Sequence, residues 1–170
     1  MNLPGGGAGD GIPSAKIGQR IQPANTLMQT IDQPAQVIEN TPVNPAHRIL
    51  LLEDDPQFSE IVKSFLESNS YEVVAVNNGV EGVREIMASD FAVIICDMLM
   101  PSLPGDMFYL AVERMRPHLC SRFIFVTGLQ GNAKVSEFLQ KIRGTMLAKP
   151  FQVDDLLDVI GFVQVKTGFR

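Results

Sequence analysis

Phe91-Ala92-Val93-Ile94-Ile95-Cys96-Asp97 is an unbroken apolar run that stops on a carboxylate, and three other runs in the chain share its form. Ile49-Leu50-Leu51-Leu52 ends in Glu53-Asp54, Phe123-Ile124-Phe125-Val126 ends in Thr127, and Met146-Leu147-Ala148 ends in Lys149. Short, nearly continuous apolar runs separated by helical spacing are the mark of parallel strands, because helices cover both faces of such a sheet. Ligands of an open parallel sheet bind beyond the carboxyl ends of its strands. Acids, a hydroxyl and a lysine are therefore expected to meet at one edge.

Working outward from these runs, strand and helix alternate from Arg48 onward. The spacing predicts a first helix over Pro56 to about Ser68, burying Phe58, Ile61, Val62, Phe65 and Leu66 as an amphipathic stripe. Tyr71 to Val76 reads as a second strand, and Val80, Val83, Ile86 and Met87 mark a second helix. A third helix is expected from Asp106 to about Arg116, ended by Pro117; Val135, Phe138, Leu139 and Ile142 mark a fourth. Val153, Leu156, Leu157, Ile160 and Val163 mark the fifth. Right-handed crossovers with short connections turn this alternation into an α/β doubly wound, five-stranded parallel sheet with five helices. The expected strand order is 2-1-3-4-5, which sets the first and third strands side by side and brings Glu53, Asp54 and Asp97 together.

Composition divides the chain. Residues 1–46 hold six of the eleven prolines, six of the fourteen glycines and no aromatic residue, so they read as a flexible tail ahead of one domain over residues 47–170. The opening residues lack the basic start and apolar stretch of a signal peptide, and no run approaches the roughly 20 apolar residues of a membrane span. Cys96 and Cys120 have no metal-ligand or redox spacing and read as reduced residues of a cytoplasmic protein. A net charge of −5 without a basic stripe gives no footprint for direct nucleic-acid binding.

Three crowded carboxylates repel one another unless protons are retained or a cation neutralises them. Oxygen ligands at this charge density suit Mg²⁺ or Mn²⁺, which also accept phosphate oxygens. A carboxylate beside such a cation can attack phosphorus to give an acyl phosphate, with Lys149 supplying positive charge and Thr127 a hydroxyl. Taken singly, Thr127 simply ends a strand and Lys149 is a solvated charge; their places beside the acid cluster give them a function. Asp55-Pro56 is explained as a helix N-cap followed by Pro at the first helical position, so Asp55 is left out of the site. Asp154, Asp155 and Asp158 fall on the polar face of the last helix and carry no chemistry, and Met98 and Met100 are read as packing residues.

Over residues 48 to about 165 the chain resembles the receiver domains of two-component response regulators, whose fold is flavodoxin-like. The matching stretches are Ile49-Leu50-Leu51-Leu52-Glu53-Asp54-Asp55, Ile94-Ile95-Cys96-Asp97-Met98-Leu99-Met100-Pro101 with Gly105, Phe125-Val126-Thr127-Gly128 and Leu147-Ala148-Lys149-Pro150-Phe151. The resemblance implies that Asp97 is the phosphoacceptor, and that Glu53, Asp54, Asp97 and the carbonyl of Leu99 bind Mg²⁺. It also implies that Thr127 and Lys149 engage the phosphoryl group and that the Lys149-Pro150 bond is cis. The implied partners are a histidine kinase or histidine phosphotransfer protein as donor, and a downstream protein target or a phosphorylation-dependent dimer as output. Only Val165 to Arg170 follow the last helix, so output is expected through protein contact and not through an effector domain. The chain departs from the family at Met146, where an aromatic residue is usual, and at Leu99 and Leu129, where polar side chains are common. The two leucines are expected to shield a relatively long-lived phosphoaspartate from water.

Three other readings compete. A degenerate receiver would act as a phosphorylation-independent interaction module, although such proteins usually lose an acid, the acceptor or the lysine, and all five side chains are present. A phosphohydrolase using Asp97 as nucleophile would need a general acid two residues later, where Leu99 stands. A flavin-binding domain of similar topology is disfavoured because Glu53-Asp54-Asp55 would repel the flavin phosphate.

Overall fold

The computed structural model describes residues 47–128 and 131–169; the expected tail over residues 1–46 and Leu129 lie outside them. The strands are β1 (Arg48–Leu52), β2 (Glu72–Val76), β3 (Val93–Asp97), β4 (Phe123–Thr127) and β5 (Thr145–Ala148). They alternate with α1 (Pro56–Ser68), α2 (Gly79–Ala88), α3 (Gly105–Met115), α4 (Ala133–Ile142) and α5 (Val153–Thr167). All neighbouring strands pair in parallel, in the order β2-β1-β3-β4-β5. The alternation of strand and helix and the expected order are both borne out.

Each buried strand feeds two cores, because successive side chains leave opposite faces of the sheet. Leu50, Leu52, Ile94, Cys96, Phe123 and Phe125 pack with Ile86, Phe108, Val112 and Leu139 on the α2, α3 and α4 side. Ile49, Leu51, Val93, Ile95, Ile124 and Val126 pack with Val62, Leu66, Leu156, Ile160 and Val163 on the α1 and α5 side. Met98 and Met100 are buried at 5% exposure each, as packing residues should be. The starts of α1 and α4 are fixed by side chains, each such cap being worth about 1 kcal/mol. Asp55 Oδ1 accepts from the Gln57 and Phe58 amides at 2.9 and 3.2 Å, and Asn132 Oδ1 accepts from those of Lys134 and Val135 at 3.0 and 3.2 Å.

Ile61, expected in the core, is instead exposed at 58%, and two of the apolar residues that mark α2 are also exposed, Val80 at 45% and Met87 at 61%. Ile61 sits at the edge of the stripe centred on Val62 and Leu66. In α2 the reason is different, since the helix presents Gly79, Gly82 and Ile86 to its neighbours. A Cβ on Gly82 would lie 2.5 Å from Leu52 Cδ2, and one on Gly79 would lie 2.6 Å from the Leu103 carbonyl oxygen. Close backbone approach through glycine is a packing surface that hydropathy does not register. After α3 the chain adds a 3₁₀ turn over Pro117–Arg122 that buries Leu119 completely, a feature the periodicity did not predict.

Both cysteines are free thiols. Burial raises the pKa of Cys96 well above its ordinary value, and the charges of Asp97, Asp106 and Glu53 add to the shift. Its side chain is fully buried and its thiol donates to the Asp97 carbonyl at 3.3 Å. Burial also raises Cys120, though that residue is partly exposed. Because only thiolate reacts, alkylation of the folded protein at mildly alkaline pH is expected to modify Cys120 slowly and Cys96 not at all. Both should react in denaturant. Peptide mapping checks this, and Cys96 labelling at the unfolded rate in the native protein would contradict the burial.

Candidate functional site

Just past the ends of β1, β3 and β5, the sheet's hydrogen bonding continues by one step. The Glu53 amide donates to Val76 O at 3.1 Å, Met98 to Val126 O at 3.0 Å and Lys149 to Thr127 O at 2.9 Å. The polar residues are thus carried on sheet geometry and not on loose loops. Alternation then selects their side: Glu53 continues Ile49 and Leu51, Asp97 continues Val93 and Ile95, and Lys149 continues Leu147, all on the α1 and α5 face.

The result is a compact charged cluster. Lys149 Nζ donates to Asp97 Oδ2 at 2.7 Å and to Glu53 Oε2 at 2.8 Å. The other Asp97 oxygen, Oδ1, accepts from the Leu99 amide at 2.8 Å, and Glu53 Oε1 accepts from the Asp55 amide at 3.3 Å. Glu53, Asp97 and Thr127 are buried, at 3%, 7% and 1% exposure, while Asp54 opens to solvent. Glu53, Asp54 and Asp97 each offer an oxygen within 4.8 Å of the others, and among the described residues they are the one group of acidic, histidine or cysteine side chains so arranged. Hard oxygen donors at this spacing, one of them open to solvent, fit Mg²⁺ with retained waters.

Burial raises the Glu53 pKa, and the Asp97 charge adds to this against the lowering effect of Lys149. For Lys149, burial alone would lower the pKa, but the hydrogen bonds and charges of Asp97 and Glu53 outweigh it and hold it above the ordinary value. A raised lysine contributes its stability fully below its unfolded pKa, near 10.4, and loses it only as pH rises through the folded value. At neutral pH Lys149 is therefore the charged counterion of two buried carboxylates.

Gly105 brings α3 against the end of β3. Its amide donates to Met98 O at 3.2 Å, and a Cβ there would lie 2.5 Å from the Asp97 carbonyl oxygen. Gly105→Ala is expected to displace the loop after β3 and to cost about 1–3 kcal/mol, as overpacking does. The melting temperature reads this directly; an unchanged value would show that the loop has slack.

The remaining sequence-predicted residues fall as follows. Asp55 caps α1, and its side chain accepts from amides of that helix and not from site groups. Leu99 is 55% exposed, so the expected apolar shield over Asp97 is not supplied by Leu99 alone. Met146 is 48% exposed on β5, beside Ser136, Leu139, Gln140, Arg143 and Gly144 of a shallow cleft. The Lys149–Pro150 bond is cis, in keeping with the resemblance. Phe58, which helical spacing marks only as a packing residue, also borders the cluster. The Phe58 ring lies 4.5 Å from Lys149 Nζ, and only its place in the first turn of α1, just after the acids, hinted at it.

The response regulator receiver domain family matches residues 49–161. The transcriptional regulatory protein CrdR of Helicobacter pylori is 34% identical over 110 residues, which cover 64% of this chain and 51% of CrdR. This chain therefore matches about half the length of that relative. The chemotaxis protein CheY of Bacillus subtilis is 27% identical over 116 residues, covering 68% of this chain and 95% of CheY. The solved CheY-like receiver domain protein from Methanospirillum hungatei superposes with a TM-score of 0.66 at 26% identity, covering 71% of this chain and 95% of that one.

Proposed function

The chain belongs to the response regulator receiver domain family, and from that membership we propose that it accepts a phosphoryl group on Asp97 as a signalling module of a two-component system or phosphorelay. Receiver domains are signalling modules that bind Mg²⁺ at an acidic pocket. The observation that carries the reading is the cluster itself: three carboxylates within 4.8 Å, with Lys149 Nζ 2.7 Å from Asp97. In the proposed reaction an Asp97 oxygen attacks the phosphorus of a phosphohistidine. The P–N bond breaks, and its electron pair stays on the imidazole nitrogen. Lys149 pivots from the carboxylates to a phosphoryl oxygen, and the Thr127 hydroxyl donates to another. Glu53, Asp54, Asp97 and the Leu99 carbonyl would hold Mg²⁺, which would neutralise charge on the equatorial phosphoryl oxygens.

The proposed donor is a histidine kinase or a histidine phosphotransfer protein. The proposed output is a protein contact, made by onward transfer to a phosphotransfer histidine, by a target that reads the phosphorylated face, or by a phosphorylation-driven dimer. The proposed setting is the cytoplasm. No helix among the described residues is long and apolar enough to cross a membrane. A second reading, a phosphorylation-independent interaction module, is favoured by Met146, which lacks the ring that the family usually couples to its threonine.

Incubation with Mg²⁺ and acetyl phosphate, followed by intact-mass spectrometry, separates the two. A single phosphoryl adduct, labile to mild base or hydroxylamine, supports the first. A folded, Mg²⁺-binding protein that takes no adduct from acetyl phosphate, candidate kinases or phosphotransfer proteins supports the second.

A further inference from the structure

We propose that Phe58 is a positioning residue for Lys149, its ring holding the ammonium group between Glu53 and Asp97 and so setting the rate of phosphoryl acceptance. The proposal rests on the reading of Asp97 as acceptor.

The Phe58 ring centroid lies 4.5 Å from Lys149 Nζ, well inside the roughly 6 Å reach of a cation–π contact. Phe58 is itself held in two places, at its backbone and at its ring. Its amide donates to Asp55 Oδ1 at 3.2 Å, which ties Phe58 to the loop that carries Glu53 and Asp54. The Phe151 ring meets it edge-on, with centroids 5.8 Å apart and planes at 78°. Phe151 follows Lys149 by two residues, so one aromatic pair links the acid loop after β1 to the lysine after β5.

This arrangement matters because a lysine is a flexible point charge on a four-carbon stem, with no fork of its own to set direction. Two carboxylates attract it but do not choose where it goes once one of them carries a phosphoryl group. A ring beneath the ammonium limits the paths open to it and shields it from water on that side. Lys149 can then shift from Glu53 Oε2 toward a phosphoryl oxygen on Asp97 while keeping its contact with the ring. An aliphatic side chain of similar bulk would fill the same space without attracting the charge.

The test compares Phe58→Leu with Phe58→Tyr and Phe58→Trp in the full chain. The readouts are the rate of adduct formation from acetyl phosphate at saturating Mg²⁺, the melting temperature and the NMR shift of the Lys149 ε-methylene group. Phe58→Leu is expected to slow adduct formation by about threefold to tenfold, while Tyr and Trp, which keep an aromatic face, should restore the rate to within about twofold. The ε-methylene signal should be shifted upfield by the ring in the parent and should lose that shift in Phe58→Leu. Rates that follow melting temperature regardless of the ring, or a Leu variant as fast as the parent, would reduce Phe58 to a packing residue. A parent that takes no phosphoryl group would defeat the reading of Asp97. The ε-methylene shift would then decide separately whether Phe58 holds Lys149. If Phe58→Leu fails to fold, the same comparison is made with Phe58→Met against Phe58→Trp.

Discussion

The Asp97→Ala and Asp97→Asn variants are expected to take no phosphoryl group from acetyl phosphate or from a kinase, their adduct falling to background in the intact-mass spectrum. The expectation comes from the unequal positions of the three acids. Asp97 is buried at the end of β3, with one oxygen held by the Leu99 amide and the other by Lys149, so its carboxylate is aimed and partly desolvated before any donor arrives. Glu53 is also buried and its two oxygens are held in the same way, by the Asp55 amide and Lys149, but burial raises its pKa and so disfavours its carboxylate. Asp54 is exposed, which leaves it open to a cation and without the fixed placement that attack on phosphorus needs. Asn at position 97 retains the shape and can still accept from the Leu99 amide, but it removes the anionic nucleophile. It therefore separates loss of chemistry from loss of structure. Phosphoryl transfer persisting in Asp97→Asn would place the acceptor on another residue and break the proposed mechanism at its first step.

Much of this site is legible in the sequence because it is built by strands. A parallel strand covered on both faces must be apolar at every position, so the residue where apolarity ends marks the carboxyl edge of the sheet. Glu53, Asp97, Thr127 and Lys149 are those residues, and the order with β1 beside β3 is enough to bring the first two together. What the sequence leaves out is set by helix packing. Beside Ile86, the buried face of α2 is made by Gly79 and Gly82, which carry no hydropathy signal, while Val80 and Met87, which mark the helix in the sequence, stand outside. Phe58 belongs to a helical stripe whose periodicity says that it packs inward. The contact with Lys149 depends on how far along the sheet α1 sits, and no local pattern encodes that distance. In the same way, sequence places Lys149 near the acids but cannot say that one ammonium bridges two of them.

That bridge gives the second large effect. Lys149→Gln is expected to destabilise the protein without added metal and to make it more dependent on Mg²⁺ than the parent. Breaking a buried ion pair by removing one partner typically costs about 3–5 kcal/mol, because the remaining charge is stranded. Here the Lys149 side chain is 27% exposed, so some water can replace it, and a loss of about 2–3 kcal/mol is the expectation. Glu53 and Asp97 would then face each other across a cluster in which burial already disfavours the Glu53 carboxylate. Mg²⁺ supplies the missing charge to the same oxygens, so it should raise the melting temperature of the variant more than that of the parent, where Lys149 competes for them. Acceptance of the phosphoryl group does not recover in step. In the proposed reaction Lys149 is the cation that the protein brings to the transferred oxygens, and removing a donor of that kind costs about 10²–10³ in rate. Saturating Mg²⁺ should therefore restore most of the stability and little of the rate. A variant as stable as the parent without metal, with an equal Mg²⁺ response, would mean that Lys149 is a solvated charge and that the acids are neutralised by protons instead.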